Sequence, residues 1–393
     1  MAFSAALRAR QPVAVDARML GPGGTGVSTY ARSLLAALPL VSAAPLLVTA
    51  RDERGGKPLR VLRALPPFAR RLRPAGPAEG IESVTARDIF RISQAYFGLY
   101  GRALPLRVAG PPGIMHWSYP VPLRLVGWRN VYTVHDMIPL DRPDLTPIDP
   151  RRHARLLRAI MRHAAALLTV SADARQAIVR ATGCDDGFVV DCGQPVILPA
   201  TLPLPPAGYA PGSYFLFCGS IDPRKNLARL AAAWRASGTA LPLLLVGPDG
   251  WRTGEVLAAV APGGGIGRLP YQDRAGVIGL IAHARAMLFP SLAEGFGLPV
   301  AEAMTLGTPV LTSTGVLAET AGGAALIVDP LDVAGMAAAI ARLATDDALA
   351  ATLAAAGRVR AQAFTLDRFA GRLAAFHDRL IASPPVGPYQ RPT

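Results

Sequence analysis

The chain has 393 residues, of which 51% are hydrophobic, and a formal net charge of +14. That length suits two domains of roughly 100–200 residues each, and the apolar content excludes an intrinsically disordered chain. The three cysteines, Cys184, Cys192 and Cys218, lack metal-ligand spacing and read as reduced thiols of a cytoplasmic protein.

The opening "MAFSAALRARQPVAVDARML" places its arginines after its apolar start, the wrong order for a secretory signal. No apolar run approaches the roughly 18 residues of a membrane span. The charge is uneven: residues 1–200 hold 26 Lys and Arg against 14 Asp and Glu, a net +12, whereas 201–393 hold 15 against 13, a net +2. A basic first half predicts an anionic partner, for which membrane lipid, a phosphorylated carrier and nucleic acid all qualify. Arginine is used almost throughout, and the only lysines are Lys57 and Lys225.

In chain order, "PVAVDARMLGPGGTGVSTYARSLLAAL" predicts a short buried strand, a glycine-rich turn and a helix with Tyr30, Leu34, Leu35 and Leu38 on one face. Residues 51–112 break the pattern, with eight basic and two acidic residues between Arg51 and Arg73, followed by Phe90, Phe97 and Tyr100. A basic, aromatic loop or insertion there fits contact with a membrane-borne acceptor, and equally a solvated flap over an ordinary helix. "NVYTVHDMIPL" predicts a buried strand ending at His135 and Asp136. A helix follows, with Arg151, Arg155, Arg158 and Arg162 on one face and Leu156, Ile160 and Met161 largely on another. That arginine row is a candidate membrane-facing stripe or a solvated face. Next come a strand and a helix capped by Ser171.

The Pro- and Gly-rich "TLPLPPAGYAPG" at 201–212 is the best domain boundary. Strand and helix then alternate again through "SYFLFCGS", "NLARLAAAW", "LPLLLVGPDG", "RAGVIGLIAHA", "RAMLFPS", "PVAEAMTLG", "TPVLTS" and "AALIVDP", ending in helices over 332–361. The expected architecture is α/β, with two tandem doubly wound Rossmann-like domains over 1–200 and 201–365. A C-terminal helix from 366 crosses back to the first domain, and the tail "SPPVGPYQRPT" is expected to be disordered.

Three constellations carry chemistry. In "EGFGLPVAEAMTLG", Pro299 suits the first helical turn and Gly307 a left-handed helix end. Glu294 then precedes the helix and Glu302 lies about one turn inside it. The amides of Phe296, Gly297 and Leu298 point from the helix start toward hydroxyls or phosphate oxygens. Two carboxylates flanking such amides suit a polyhydroxylated ligand such as a sugar nucleotide. Either glutamate alone reads more simply as a surface or helix-start residue. In "GSIDPRKNLARL", Gly219 and Ser220 follow a buried strand, and Arg224 and Lys225 set a planar fork beside a point charge, which suits a diphosphate. A random Arg-Lys pair would be a solvated helix start. In "GPGGTGVSTYARSL", Gly23, Gly24 and Gly26 permit close backbone approach to an anion, a weak signal by itself. His135, at a strand end, is a fourth candidate, although a lone His there is more often structural.

In this order and context these residues resemble the family 4 glycosyltransferases of the GT-B fold. The resemblance covers most of the chain and thins over 51–112 and after about 382. The family's E-x7-E element matches Glu294 and Glu302. Its diphosphate-binding pair matches Arg224 and Lys225, its glycine-rich loop matches "GGTGVSTYARSL", and its strand-end His matches His135. The resemblance implies two domains facing a cleft, with the acceptor on the first and the nucleotide-sugar on the second. It implies that Glu294 holds hydroxyls of the transferred sugar and Glu302 the nucleotide ribose. Phe296, Gly297 and Leu298 then contact sugar or phosphates, and Arg224 and Lys225 stabilise the leaving diphosphate. Gly24, Thr25, Gly26 and Val27 bring backbone near the donor phosphates, Gly219 and Ser220 line the donor site, and His135 positions the sugar and the reacting centre. Catalytic roles thus fall to His135, Arg224, Lys225 and Glu294.

The resemblance also implies retention of anomeric configuration. No two aspartates are two positions apart, which agrees with independence of any metal; no cofactor is expected. "VVDCGQPVIL" and "TSTGVLAET" depart from the family's patterns, which leaves Glu319 a minor candidate. "GTGVSTYARSLL", "VYTVHDMIPL" and "GSIDPRKNLARL" look like the mannosyltransferase branch of bacterial surface-polysaccharide synthesis. GDP-mannose is the leading donor, ahead of a UDP- or dTDP-sugar, and the acceptor a growing glycan on polyprenyl diphosphate at the inner membrane face. Other readings are a non-catalytic polyanion binder, a sugar-nucleotide epimerase or a phosphorylase, for which neither lysine has a suitable context. An NAD-dependent oxidoreductase is a further one, without a clean G-x-G-x-x-G and its acidic partner. No nucleic-acid module is recognisable.

Overall fold

Parallel strands covered on both faces are apolar along their whole length, and this chain supplies two sets of them. The computed structural model describes residues 11–21, 26–42, 44–51, 57–65, 69–260 and 264–382. The chain divides into two units, one of Met1–Leu140, Ile148–Pro195 and Leu366–Thr393, the other of Asp141–Pro147 and Val196–Thr365.

The first unit begins with β1 (Val13–Asp16), α1 (Gly26–Val41), β2 (Leu46–Arg51), α2 (Lys57–Arg63), β3 (Arg70–Arg71), β4 (Arg73–Ala78) and β5 (Ile81–Arg87). It continues with α3 (Ile89–Tyr100), β6 (Leu104–Arg107), β7 (Ile114–Trp117), β8 (Leu123–Leu125) and β9 (Arg129–Thr133). Next come α4 (Pro150–Met161), β10 (Ala164–Thr169), α5 (Ala172–Thr182) and β11 (Val189–Asp191). Eight strands pair in the order β11-β10-β9-β7-β1-β2-β5-β4, parallel except for the β4–β5 pair. A second small sheet joins β3, β6 and β8. The stretch expected to be a loop or insertion is therefore largely regular: β4 and β5 extend the edge of the main sheet, and α3 packs against β2 and β6. Arginines on its exposed edge and proline and glycine in β4 hid the alternation. Ser171 caps α5 by accepting from the amide of Ala174 at 3.2 Å.

The second unit contains β12 (Phe215–Cys218), α6 (Leu227–Ala236), β13 (Leu243–Val246), α7 (Thr253–Val260), β14 (Ile266–Arg268) and α8 (Arg274–His283). It continues with β15 (Ala286–Phe289), α9 (Leu298–Leu306), β16 (Val310–Ser313), α10 (Val316–Ala321), β17 (Leu326–Val328), α11 (Val333–Thr345) and α12 (Asp347–Ala361). Its sheet is wholly parallel, in the order β14-β13-β12-β15-β16-β17, around a core that includes Phe215, Phe217, Met287 and Phe289. The last helix, α13 (Leu366–Ala382), belongs to the first unit and packs on α1, burying Phe369, Leu373, Phe376 and Leu380. The tail after 382 lies outside the described residues.

In each sheet the first strand has its next strand in sequence on one side and a later one on the other. β1 lies between β2 and β7, and β12 between β13 and β15. Loops leaving two such strands diverge, which opens a crevice at their carboxyl ends.

Candidate active site

At the carboxyl ends of β12 and β15 the second unit gathers its charged residues. A 3-10 turn, Pro223–Lys225, follows β12 and points both cations at the loop after β15. Lys225 Nζ donates to Glu294 Oε1 at 2.5 Å, and Arg224 Nη1 lies 2.8 Å from Glu294 Oε2. Arg224 Nη1 also donates to the Ala293 carbonyl at 3.0 Å, and Lys225 Nζ sits 4.6 Å from the centre of the Phe289 ring. Burial alone would raise the Glu294 carboxyl, but the charges of Arg224 and Lys225 override it and bring it down to about 2. Burial lowers the Lys225 ammonium against the opposing pull of Glu294.

The turn is fixed from behind. Asn226 adopts a left-handed conformation, φ 61°, and its amide donates to the carbonyls of Pro290 at 3.1 Å and Pro330 at 2.7 Å. Asparagine tolerates that region better than most residues. The Leu292 amide donates to the Arg224 carbonyl at 2.8 Å, and Ser313 Oγ to that of Ser291 at 2.5 Å. Thr320 Oγ1 donates to the Phe296 carbonyl. Ser220 Oγ donates to Asp222 Oδ2 at 2.6 Å, and Arg224 lies 3.8 Å from the same oxygen. Gly247, at the end of β13, faces the Gly219 carbonyl so closely that a Cβ there would stand 2.0 Å from its oxygen.

Gly297 opens α9 at φ 93° and Gly307 closes it at φ 77°. Phe296 and Leu298 are buried. Glu302, one turn inside α9, is 1% exposed. Its only ion pair among the described residues is with Arg274 at the start of α8, Nη2 to Oε1 2.5 Å. Burial raises the Glu302 carboxyl, and Arg274 opposes that rise. Cys218 is the last residue of β12 and is buried. Burial and the charge of Glu302 push its thiol up to about 12, while Arg274 and Lys225 pull the other way. The Cys218 thiol thus lies within the reach of the charges of Lys225, Arg274 and Glu302.

The first unit carries its own strand-end cluster. Asp16, at the end of β1, is fully buried and accepts from the Ser118 amide at 2.5 Å and from Ser118 Oγ at 3.0 Å. Burial raises its carboxyl to about 6 against those bonds and Arg18. His135, just past β9, is half-buried, and its Nε2 lies 2.9 Å from the Ser118 carbonyl. A carbonyl only accepts, so Nε2 carries the proton and Nδ1 is the acceptor of the neutral ring, without a hydrogen-bond partner among the described residues. Burial lowers the His135 pKa, opposed by the Ser118 bond and Asp136. Tyr30 meets the ring edge-on, centroids 4.9 Å apart. Gly26 and Val27 are the first residues of α1, whereas Gly24 and Thr25 lie outside the described residues. Asp16, Ser118, Asn226 and Arg274 were not singled out from the sequence. Asp16 had a signal, an acid ending a buried strand just before a glycine-rich turn.

Two wound α/β units with charged clusters at their strand-order reversals define the class: the GT-B fold of nucleotide-sugar enzymes. Solved structures share it. The chain superposes on sucrose-phosphate synthase from Thermosynechococcus elongatus with a TM-score of 0.69 at 21% identity, covering 95% of this chain and 100% of that one. Anabaena HepE, solved with UDP and glucose, gives a TM-score of 0.66 at 15% identity over 93% and 99% of the two chains. In sequence, residues 212–346 match the family described as Glycosyl transferases group 1. The O-antigen chain mannosyltransferase B of Escherichia coli is 32% identical over 259 residues, 60% of this chain and 67% of that protein. The serotype-specific mannosyltransferase WbdA of Escherichia coli is 27% identical over 218 residues, 48% of this chain and 26% of that protein. The chain belongs to the group 1 glycosyl transferases and is a mannosyltransferase-like glycosyltransferase of the GT-B fold.

Proposed function

We propose that the protein transfers mannose from GDP-mannose, with retention of configuration and without a metal ion, to a growing or lipid-linked surface polysaccharide. The observation that carries this reading is the grip of Arg224 and Lys225 on Glu294 at the switch point of the second sheet. Two fixed cations meet the charge that a departing nucleoside diphosphate develops, the work a divalent ion would otherwise do. Held by that pair, the ionised Glu294 accepts hydrogen bonds from hydroxyls of the transferred sugar. Glu302 takes the ribose hydroxyls in exchange for its bond to Arg274. The acceptor hydroxyl attacks the anomeric carbon on the face from which the diphosphate leaves. The C–O bond to phosphate breaks as the new glycosidic bond forms, and the proton passes to the departing phosphate oxygen. His135, neutral and with Nδ1 as its acceptor, positions the sugar. The names of the relatives support mannose and a glycan acceptor. The alternative donors are a UDP- or dTDP-sugar.

The test is transfer from GDP-mannose to a polyprenyl-diphosphate-linked acceptor, with the anomeric coupling of the product read by NMR. An α-linked product formed equally with and without chelator is expected. Inversion would overturn the mechanism, and loss of activity on chelation would overturn metal independence. Transfer from UDP-glucose alone would replace the donor.

A further inference from the structure

The first unit carries a second charged feature, separate from the Asp16–His135 edge of its sheet. A cavity of about 300 Å³ opens beside the end of α4, lined among others by Arg102, Arg124, Arg162, His163 and Tyr96. No carboxylate lines it among the described residues. Arg102 and Arg162 are exposed, while Arg124 Nε is buried with no hydrogen-bond partner among the described residues. A buried donor left unmet is destabilising, the more so when charged, and three guanidiniums around one space repel each other. An anion entering the cavity relieves both. Burial, and then the charges of Arg124 and Arg162, bring the His163 ring down to about 4. At neutral pH the ring is therefore uncharged and free to donate to a phosphate oxygen.

A second cavity, of about 250 Å³, lies along the adjacent face of α4 and shares Arg162 with the first. Leu140, Ala154, Leu157 and Met161 give it an apolar wall, and Arg158 stands with Arg162 at its edge. An apolar trough that shares Arg162 with a cationic pocket fits neither a free anion nor a plain hydrocarbon, but a molecule that joins the two. The exposed row Arg151, Arg155, Arg158 and Arg162 runs along the same helix and complements an anionic leaflet.

We propose that the two cavities form one binding site for a membrane lipid phosphate, with Arg102, Arg124 and Arg162 taking the phosphate and the apolar side of α4 taking the start of the chain. This goes beyond the donor chemistry and stands without it, because the residues belong to neither strand-end cluster.

Calorimetric titration with dodecyl phosphate below its micelle concentration, inorganic phosphate and dodecanol tests it. Dodecyl phosphate is expected to bind at least about tenfold tighter than either other probe, and Arg102→Gln with Arg162→Gln to weaken it about tenfold or more. Ala181→Glu, an exposed change at the apolar cavity, weakens dodecyl phosphate and leaves inorganic phosphate unchanged. Phosphatidylcholine vesicles containing phosphatidic acid should float the unaltered chain and not the double arginine variant. Circular dichroism and GDP binding, unchanged in both variants, show that the fold and the donor site persist. Inorganic phosphate binding as tightly as dodecyl phosphate would reduce the site to a free-anion pocket and overturn the proposal. So would an arginine variant that binds like the unaltered chain.

Discussion

Glu294 is a carboxylate kept ionised by its neighbours in a place where burial favours neutrality. Its depressed folded pKa stabilises the native state above the ordinary carboxylate range, and that contribution is lost as pH falls from about 4.5 toward about 2. Asp16 has the opposite sign. Its folded pKa of about 6 lies above the unfolded value of 3.8, so its contribution is fully present below about 4 and is lost as pH rises through about 6. A carboxyl raised that far changes stability by about 3 kcal/mol across the window. Denaturant unfolding at pH 4 and pH 7 should therefore show Asp16→Asn gaining stability relative to the parent at the higher pH. An identical pH dependence in both would reject the buried, raised carboxyl. In the transfer reaction, Lys225→Ala and Glu302→Ala should each lower turnover by about tenfold or more with unchanged circular dichroism. Near-parent rates in both would remove these residues from the site. Glu294, Arg224 and Lys225 were legible as residue types because a fork, a point charge and paired acids stand beside glycine turns. The bond between the cations and Glu294 was not legible, since it spans 69 residues of chain. Arg274, as Glu302's partner, was hidden for the same reason, in a chain where arginine is everywhere.

At the level of elements, the loops that shape the donor site depend on a few backbone positions. Asn226→Ala removes two hydrogen bonds to Pro290 and Pro330 and a residue suited to φ 61°, so a loss of about 1–3 kcal/mol in denaturant unfolding is expected. Asn226→Gly keeps the backbone freedom and should lose less. Gly247→Ala drives a methyl into the Gly219 carbonyl and should abolish nucleotide binding or folding; a soluble, active variant would contradict that packing. In the first unit, α13 is tied to β7 by the buried pair His116 and His377, with Nε2 to Nε2 2.9 Å. Burial, and then His377, lower the His116 pKa well below 6.5. A depressed histidine favours the folded state only while neutral, so this attachment weakens as pH falls below about 6.5. Hydrogen exchange of 366–382, corrected for intrinsic rate, should accelerate between pH 7 and pH 5 and lose that dependence in His116→Leu/His377→Leu. Most helices, and the strands β1, β9, β10, β12, β13, β15, β16 and β17, were readable from apolar periodicity and end signals such as Ser171, Pro299 and Gly307. β14, three residues of Ile-Gly-Arg beside a glycine run, was not, because so short an edge strand is defined only by its pairing with β13.

For the whole molecule, a ligand that binds only the folded chain raises its melting temperature by mass action. A thermal-shift panel of nucleoside diphosphates should therefore show GDP above UDP and dTDP, and a larger response to UDP would redirect the donor. Among the described residues no helix is long and apolar enough to cross a membrane. The basic excess of residues 1–200 and the near-neutral balance of 201–393 were plain from the amino acids. So were two α/β repeats, the glycosyltransferase resemblance and the residues of the donor motif, because each is written in local spacing, strand by strand and turn by turn. Only the tertiary structure decided the rest: which strand lies beside which, and so where the order reverses. It also paired Lys225 with Glu294, Arg274 with Glu302 and Asp16 with Ser118, and it gathered Arg102, Arg124 and Arg162 around one cavity. Such pairings bring together side chains tens to a hundred residues apart, and the free energy that selects them comes from packing whole sheets against helices, which no local window of sequence contains.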